Sequence, residues 1–130
     1  MALLVDTSAW VETLRPDGDA AVRARVESAT RDGEAALCEM VLLELWMGAA
    51  GERERAVLEG LAADLQVLPI DAKVWRRAHE WARACRDAGV TVPATDVLIA
   101  ACASVHHVDI LARDKHFDQI ARVVGKRKGK

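Results

Sequence analysis

Residues 93–105, Pro-Ala-Thr-Asp-Val-Leu-Ile-Ala-Ala-Cys-Ala-Ser-Val, constrain the fold of this chain more than any other stretch. Residues 97–103 are all apolar, so a helix here has no polar face and must be buried on nearly all sides. Its first turn nevertheless carries Asp96, a carboxylate that is costly to bury without a partner. Pro93 and Thr95 mark the helix start, with Thr95 as a candidate cap. Because the helix dipole favours an acid in the first turn, the simplest interpretation of Asp96 is structural.

The composition is that of a globular protein, with 52% hydrophobic and 29% charged residues. At 130 residues we expect one domain, residues 1–130. No apolar run approaches the length of a membrane span, and the first residues lack the basic leader and cleavage site of a signal peptide. The three cysteines are odd in number and lie among apolar neighbours, which predicts buried free thiols and a cytoplasmic protein.

The charge of the chain gives no argument for general nucleic-acid binding, because the formal net charge is −2. A short basic tail, Lys-Arg-Lys-Gly-Lys, occupies residues 126–130. Such a tail can neutralise phosphates, although solubilising termini are the commoner case.

Short apolar runs alternate with helical patterns along the whole chain. The predicted strands are Ala2–Val5, Ala35–Cys38, Leu65–Leu68 and Val108–Leu111, with Val123–Val124 as a candidate fifth. The predicted helices are Ala9–Leu14 capped by Ser8, Ala20–Thr30, Glu39–Ala49, Arg53–Ala63, a long helix capped by Asp71 and ended by Gly89, the helix of residues 93–105, and a short helix Phe117–Ala121. This alternation implies an α/β fold of three layers, α/β/α, with a mainly parallel central sheet of four to five strands.

Four acids do not fit a purely structural role. Asp6 and Asp114 each follow a predicted strand, where open α/β sheets place their sites, whereas Glu44 and Asp96 lie in apolar helices. If the four converge, their repulsion amounts to roughly several kcal/mol. A protein can relieve this repulsion by protonating one acid or by binding a divalent cation.

An all-oxygen donor set favours Mg²⁺ or Mn²⁺ over zinc. A metal held by carboxylates beside a phosphodiester can activate a water molecule and stabilise the departing oxygen. The sequence contains no glycine-rich phosphate loop, so we expect phosphodiester hydrolysis and not P-loop nucleotide chemistry.

Four segments, in order, resemble the motifs of the PIN domain, and within it those of the VapC-type toxins of prokaryotic toxin–antitoxin pairs. They are Leu-Val-Asp-Thr-Ser-Ala-Trp at residues 4–10, Glu44 followed by Gly48, Thr-Asp-Val-Leu-Ile-Ala-Ala at residues 95–101, and Leu-Ala-Arg-Asp-Lys-His-Phe at residues 111–117. The chain departs from the pattern at Ala112, where many relatives carry Thr or Ser. A hydroxyl that could position water or a carboxylate is therefore missing beside the fourth acid.

The resemblance implies a compact α/β/α fold, Mg²⁺- or Mn²⁺-dependent endoribonuclease activity, a homodimer, and inhibition by a cognate antitoxin protein. It implies that Asp6 and Asp96 are the principal metal ligands and that Glu44 and Asp114 complete the cluster. Thr7 or Ser8 would hold the first acid or its water.

Three charged residues near the fourth motif have two interpretations each. Asp118 is either a fifth acid near the site or an acid that favours a helix start. Arg113 and Lys115 either contact RNA phosphates or form solvated salt bridges.

The histidines and tryptophans carry weaker signals. His106, His107 and His116 could ligate a metal, but they form no zinc pattern, which favours loop or surface positions. The four tryptophans lie at helical spacings and are expected in the core: Trp10, Trp46, Trp75 and Trp81. For Trp10 and Trp46 the alternative is that they line a groove.

Two rival functions remain at this point. A receiver-like phosphoacceptor domain also gathers aspartates at strand ends, but it needs an acceptor that ends a central strand, and Asp71 fits that position poorly. A PIN-like binding module without catalysis is the other rival, and metal-dependent RNA cleavage would exclude it.

Overall fold

The structure is a computed structural model that describes residues 2–128 and the side chains of residues 2–125. Over this range the chain forms four strands and seven helices. The strands are β1 (Leu3–Val5), β2 (Ala35–Cys38), β3 (Gln66–Leu68) and β4 (Asp109–Leu111). The helices are α1 (Thr7–Leu14), α2 (Ala20–Arg31), α3 (Glu39–Gly48), α4 (Glu52–Asp64), α5 (Ala72–Asp87), α6 (Ala94–Val105) and α7 (His116–Lys128). The basic tail predicted at residues 126–130 lies outside the described side chains.

The strands form one sheet in the order β3-β2-β1-β4, and every neighbouring pair is parallel. Leu3 of the central strand β1 aligns with Ala35 on one side and with Asp109 on the other. Strand β2 is buried at all its positions, as expected where helices cover both faces of a parallel sheet. The predicted α/β fold with a mainly parallel sheet is confirmed, and the described residues contain four strands.

Helix α6 is the buried centre predicted from the sequence. Every residue from Asp96 to Ala103 is buried, and the helix packs against α3, α5 and α7. Ile99 and Cys102 are fully inaccessible to solvent. Because burying a large aliphatic side chain contributes about 1.5–3 kcal/mol, this helix is a main source of stability and a rigid support for Asp96.

The candidate fifth strand is wrong, because Val123 and Val124 lie in helix α7. They pack into the core together with Phe117 and Ile120. The spacing of these four residues is helical. The β-branched pair Val123 and Val124 suggested a strand only because it was considered without Phe117 and Ile120.

Two predicted helix caps are also wrong. Helix α1 is capped by Asp6, two residues earlier than predicted, and Ser8 lies inside the helix. Helix α6 is preceded by Pro93 without a side-chain cap bond, and Thr95 lies inside its first turn. The predicted cap of α5 is confirmed, because the Asp71 side chain accepts a hydrogen bond from the Val74 amide at 3.1 Å.

The aromatic and sulfur residues divide between core and surface. Trp10 is buried, as predicted, but Trp46 and Trp75 are 37% and 48% exposed, so a core position is wrong for these two. Trp46 shares an exposed apolar face of α3 with Leu43 and Met47, whereas Trp75 lies on α5 beside the exposed His79. The three cysteines are buried and free, as predicted: Cys38, Cys85 and Cys102. Among residues 2–128, no helix has the length and apolar character needed to cross a membrane.

Candidate metal centre

The carboxyl edge of the sheet brings the first and fourth motifs together. Strands β1 and β4 are parallel neighbours, so the residues that follow them lie at the same edge. The Asp6 amide continues the ladder by donating to the Leu111 carbonyl at 2.9 Å. The first acid therefore lies beside the segment 112–115 that carries the fourth.

Asp6 is a buried carboxylate with one oxygen held and one oxygen free. Its side-chain Oδ2 accepts hydrogen bonds from the Ser8 amide at 3.0 Å and from the Ser8 hydroxyl at 2.7 Å. Its Oδ1 is buried and has no hydrogen-bond partner within the described part of the chain. Burial raises the pKa of Asp6, the bonds from Ser8 counteract this, and the charge of Asp114 adds to the increase. A buried oxygen without a donor is costly unless a cation or water occupies its free side.

Ser8 links the two strand ends. Its hydroxyl donates to Asp6 and accepts a hydrogen bond from the Arg113 amide at 2.8 Å. One side chain thus fixes the first acid and the backbone beside the fourth, which makes Ser8 a positioning residue of the site.

Asp96 and Asp114 meet around the ring of His116. The His116 Nδ1 lies 2.9 Å from Oδ2 of Asp96 and 3.7 Å from Oδ1 of Asp114. In the described residues, these three side chains offer ligand atoms that all lie within 4.8 Å of one another. The start of α6 and the start of α7 therefore present one compact set of donors.

The electrostatics of Asp96 show that the acids interact. Its pKa is raised from the ordinary value of 3.8 to about 6, chiefly by burial and then by the charges of Asp114 and Asp6. The contact with His116 acts in the opposite direction. Without a cation the charged form of Asp96 is disfavoured, as expected for carboxylates that share a site.

Glu44 joins the site less directly than the other three acids. It lies half-buried on α3, and its Oε1 accepts a hydrogen bond from the Thr7 hydroxyl at 2.8 Å. Thr7 adjoins Asp6 in the chain, so Glu44 is coupled to the first motif but is not in the compact group around His116.

The charged residues near the fourth motif face outward. The Arg113 guanidinium forms salt bridges with Asp19 and Glu12, which favours the salt-bridge interpretation for this residue. Lys115 is exposed, and Asp118 is an exposed acid in the first turn of α7.

Sequence reasoning favoured a loop or surface position for His116 over a place in the site; the loop position is wrong, and the partly exposed side chain lies beside Asp96. The residue is the first of α7, and its amide donates to Oδ1 of Asp114 at 3.0 Å. This bond fixes the backbone of His116 beside the fourth acid, and the His116 ring lies against Asp96. The signal in the sequence was the short spacing between Asp114 and His116, which a search for zinc patterns does not detect.

The residues present suit a divalent cation. Three aspartates on different elements approach one another, and one buried Asp6 oxygen has no donor among the described residues. Oxygen-rich donor sets of this kind bind Mg²⁺ or Mn²⁺.

Comparison with known proteins places the chain among proteins of similar length. Residues 3–123 match the PIN domain family. Ribonuclease VapC11 from Mycobacterium tuberculosis is 40% identical over 124 residues, covering 93% of this chain and 92% of VapC11.

Two solved structures have the same fold. VapBC-5 from M. tuberculosis, a member of the VapBC family of toxin–antitoxin systems, is 26% identical with a TM-score of 0.66, over 92% of this chain and 90% of its own. DNA-bound VapBC from Salmonella typhimurium is 22% identical with a TM-score of 0.77, over 92% of this chain and 91% of its own. These matches give no support to the receiver-like alternative. Asp71, the candidate phosphoacceptor of that alternative, instead caps the helix that follows the edge strand β3. The chain therefore belongs to the PIN domain family, and its relatives within that family include the VapC ribonucleases.

Proposed function

We propose that this chain, residues 1–130, is a metal-dependent endoribonuclease and the toxin of a toxin–antitoxin pair. One observation carries the proposal: 40% identity to a protein named a ribonuclease, VapC11, over 93% of the chain. The carboxylates at the sheet edge support it, because hydrolysis of a phosphodiester needs charge stabilisation and an activated water.

The proposed ligands of the ion, Mg²⁺ or Mn²⁺, are Asp6, Glu44, Asp96 and Asp114. When bound, the ion would supply a Lewis acid that lowers the pKa of a bound water and stabilises charge on the departing oxygen. The chain itself holds the acids in place: Ser8 fixes Asp6, and Thr7 fixes Glu44.

RNA would approach this edge of the sheet from the solvent side. Lys115 is the better candidate for a phosphate contact, because it is exposed beside the fourth acid. Arg113 could contact a phosphate only after its salt bridges with Asp19 and Glu12 are broken. Asp118 remains a candidate for a supporting role at the entrance.

A cleft of about 620 Å³ between α1, α3 and α4 suits an antitoxin segment. Its lining includes Val11, Leu14 and Val57, which are 39%, 44% and 42% exposed, and the polar pair Thr7 and Glu44. An amphipathic helix could place apolar residues in this cleft and direct a basic side chain at Glu44. Such a partner would cover the site and stop RNA from entering.

Growth experiments test the toxin assignment. Expression of this chain alone is expected to arrest growth, and co-expression of the product of the adjacent gene is expected to relieve the arrest and to co-purify with the chain. Leu14→Asp should weaken that rescue, because it places a charge in the apolar cleft, while Ala24→Asp, at an exposed position of α2 outside the cleft, is the control for the added charge. Normal growth at full protein levels, without the partner, would contradict the proposal.

We also propose a homodimer, motivated by the outer face of α3. Leu43, Trp46 and Met47 are 54%, 37% and 81% exposed and share one side of the helix. An apolar surface of this kind on a small protein marks an interface. Light scattering is expected to give twice the 14.1 kDa mass of one chain, and Met47→Glu should shift the mass towards the monomer. A monomer mass that does not change with concentration would count against the dimer.

A further inference from the structure

The candidate metal site contains one nitrogen donor among its oxygens, the Nδ1 atom of His116. The ring is about one-third exposed at its side chain, whereas the Asp96 side chain is 11% exposed. The imidazole therefore lies at the mouth of the site, between the buried acid and the solvent. From this position it can reach an ion that approaches from outside.

The distances match those of ligands that share one ion. Two ligands that each lie about 2.1 Å from an ion and at right angles to each other are about 3 Å apart. The Nδ1 atom of His116 is 2.9 Å from Oδ2 of Asp96, which fits a right angle at the ion. Its 3.7 Å distance from Oδ1 of Asp114 fits a wider angle between the two ligands at the ion. The same geometry also fits a ring that only donates a hydrogen bond to Asp96 from outside the coordination sphere.

The position of His116 is built into the fold and does not depend on an ion. Its amide donates to Asp114, and the residues that follow, Phe117 and Ile120, anchor α7 in the core. A ring fixed before the ion arrives loses little entropy on binding, which favours its use as a ligand.

The geometry points to His116 as a nitrogen ligand of the cation, which makes this site prefer Mn²⁺ to Mg²⁺. This inference rests on the proposed metal-dependent function. Mg²⁺ takes oxygen ligands and gives up its waters reluctantly, so an imidazole adds little to its affinity. Imidazole nitrogen suits first-row transition ions better than it suits Mg²⁺, and Mn²⁺ is a first-row ion that also suits a carboxylate-rich site.

Titration calorimetry with MnCl₂ and with MgCl₂ tests the preference on purified protein. The variant is His116→Asn, because the asparagine oxygen takes roughly the place of Nδ1 and can still contact Asp96. The control is His79→Gln, an exposed histidine that contacts Trp75 on α5. We expect wild type and the control to bind Mn²⁺ more tightly than Mg²⁺. His116→Asn should lose about tenfold or more in Mn²⁺ affinity and little in Mg²⁺ affinity.

Pulsed EPR of the Mn²⁺-loaded protein, prepared with ¹⁵N-labelled histidine, separates direct ligation from an outer hydrogen bond. A nitrogen coupling of a directly bound imidazole is expected in wild type and in His79→Gln, and it should vanish in His116→Asn. No such coupling in wild type, or equal Mn²⁺ affinities in wild type and His116→Asn, would overturn the inference while leaving a metal-dependent ribonuclease intact. If wild type binds neither ion, both the inference and the proposed metal dependence fail.

Discussion

Replacing Asp6 with asparagine is expected to abolish RNA cleavage and to relieve growth arrest, although the protein stays folded. The Oδ1 atom of Asp6 is buried and has no hydrogen-bond donor among the described residues. A bound cation would therefore stabilise this oxygen more than any other in the site. The amide keeps the volume of the side chain but removes the charge that binds a hard cation. The cleavage rate should fall by at least about a hundredfold.

The fold should survive this change because the cap survives. Asparagine caps helices about as well as aspartate, and its oxygen can still accept from the Ser8 amide. Removing the charge also ends the repulsion between Asp6 and Asp114. The melting temperature of metal-free Asp6→Asn should therefore equal or exceed that of wild type.

Asp71→Asn is the matched control, because Asp71 caps α5 in the same way but has an exposed position. It should leave cleavage unchanged. Wild-type cleavage by a folded Asp6→Asn protein would remove Asp6 from the site. A wild-type protein that binds metal but cuts no RNA would favour the catalytically silent binding module.

The backbone of the site was predictable because a few strong patterns determine it. The apolar residues 97–103 required a buried helix, and the short apolar run before Asp6 required a strand. Parallel pairing of β1 with β4 then places Asp6 and the residues after Leu111 at one edge. Two of the four acids follow from topology alone.

The side-chain contacts were not predictable, because they depend on how separate elements pack. The meeting of His116 with Asp96 joins the starts of α7 and α6, and no local pattern encodes that contact. The bond between Ser8 and the Arg113 amide spans most of the chain in the same way. Glu44 shows the reverse case, because its apolar neighbours marked it as unusual, but only the structure shows that its partner is Thr7.

Replacing Asp96 with asparagine is expected to stabilise the metal-free protein by about 1–2 kcal/mol near pH 7.5. The reason is that the charged form of Asp96 is buried near the charges of Asp114 and Asp6. Water at the edge of the site screens these charges, so the expected stabilisation is smaller than the full shift in the pKa of Asp96 would give. It corresponds to a rise in melting temperature of about 3–8 °C for a chain of this size.

The stabilisation should depend on pH in a defined direction. The folded-state pKa of Asp96, about 6, lies above the ordinary value of 3.8, so the folded protein binds the proton more tightly than the unfolded chain. Asp96 therefore contributes stability below about pH 4, and this contribution is lost as the pH rises through about 6. The advantage of Asp96→Asn should be small at pH 4 and largest above pH 7.

A purely structural role for Asp96 predicts something different. An acid that only interacts with the helix dipole stabilises the helix, so its replacement by asparagine would be neutral or slightly destabilising, by about 0.3–1 kcal/mol. Glu39 occupies the first turn of α3 and is exposed, so Glu39→Gln reports that effect by itself.

Thermal melts at pH 7.5 of wild type, Asp96→Asn and Glu39→Gln, each in EDTA and in saturating Mn²⁺, test most directly whether the acids form a metal site. In EDTA, Asp96→Asn should melt above wild type, and Glu39→Gln should melt at or slightly below it. Mn²⁺ should raise the melting temperature of wild type and Glu39→Gln, because a ligand that binds only the folded state stabilises it, and it should raise that of Asp96→Asn much less. If Asp96→Asn melts like wild type in EDTA and gains just as much from Mn²⁺, Asp96 is an ordinary first-turn acid and the metal centre lies elsewhere.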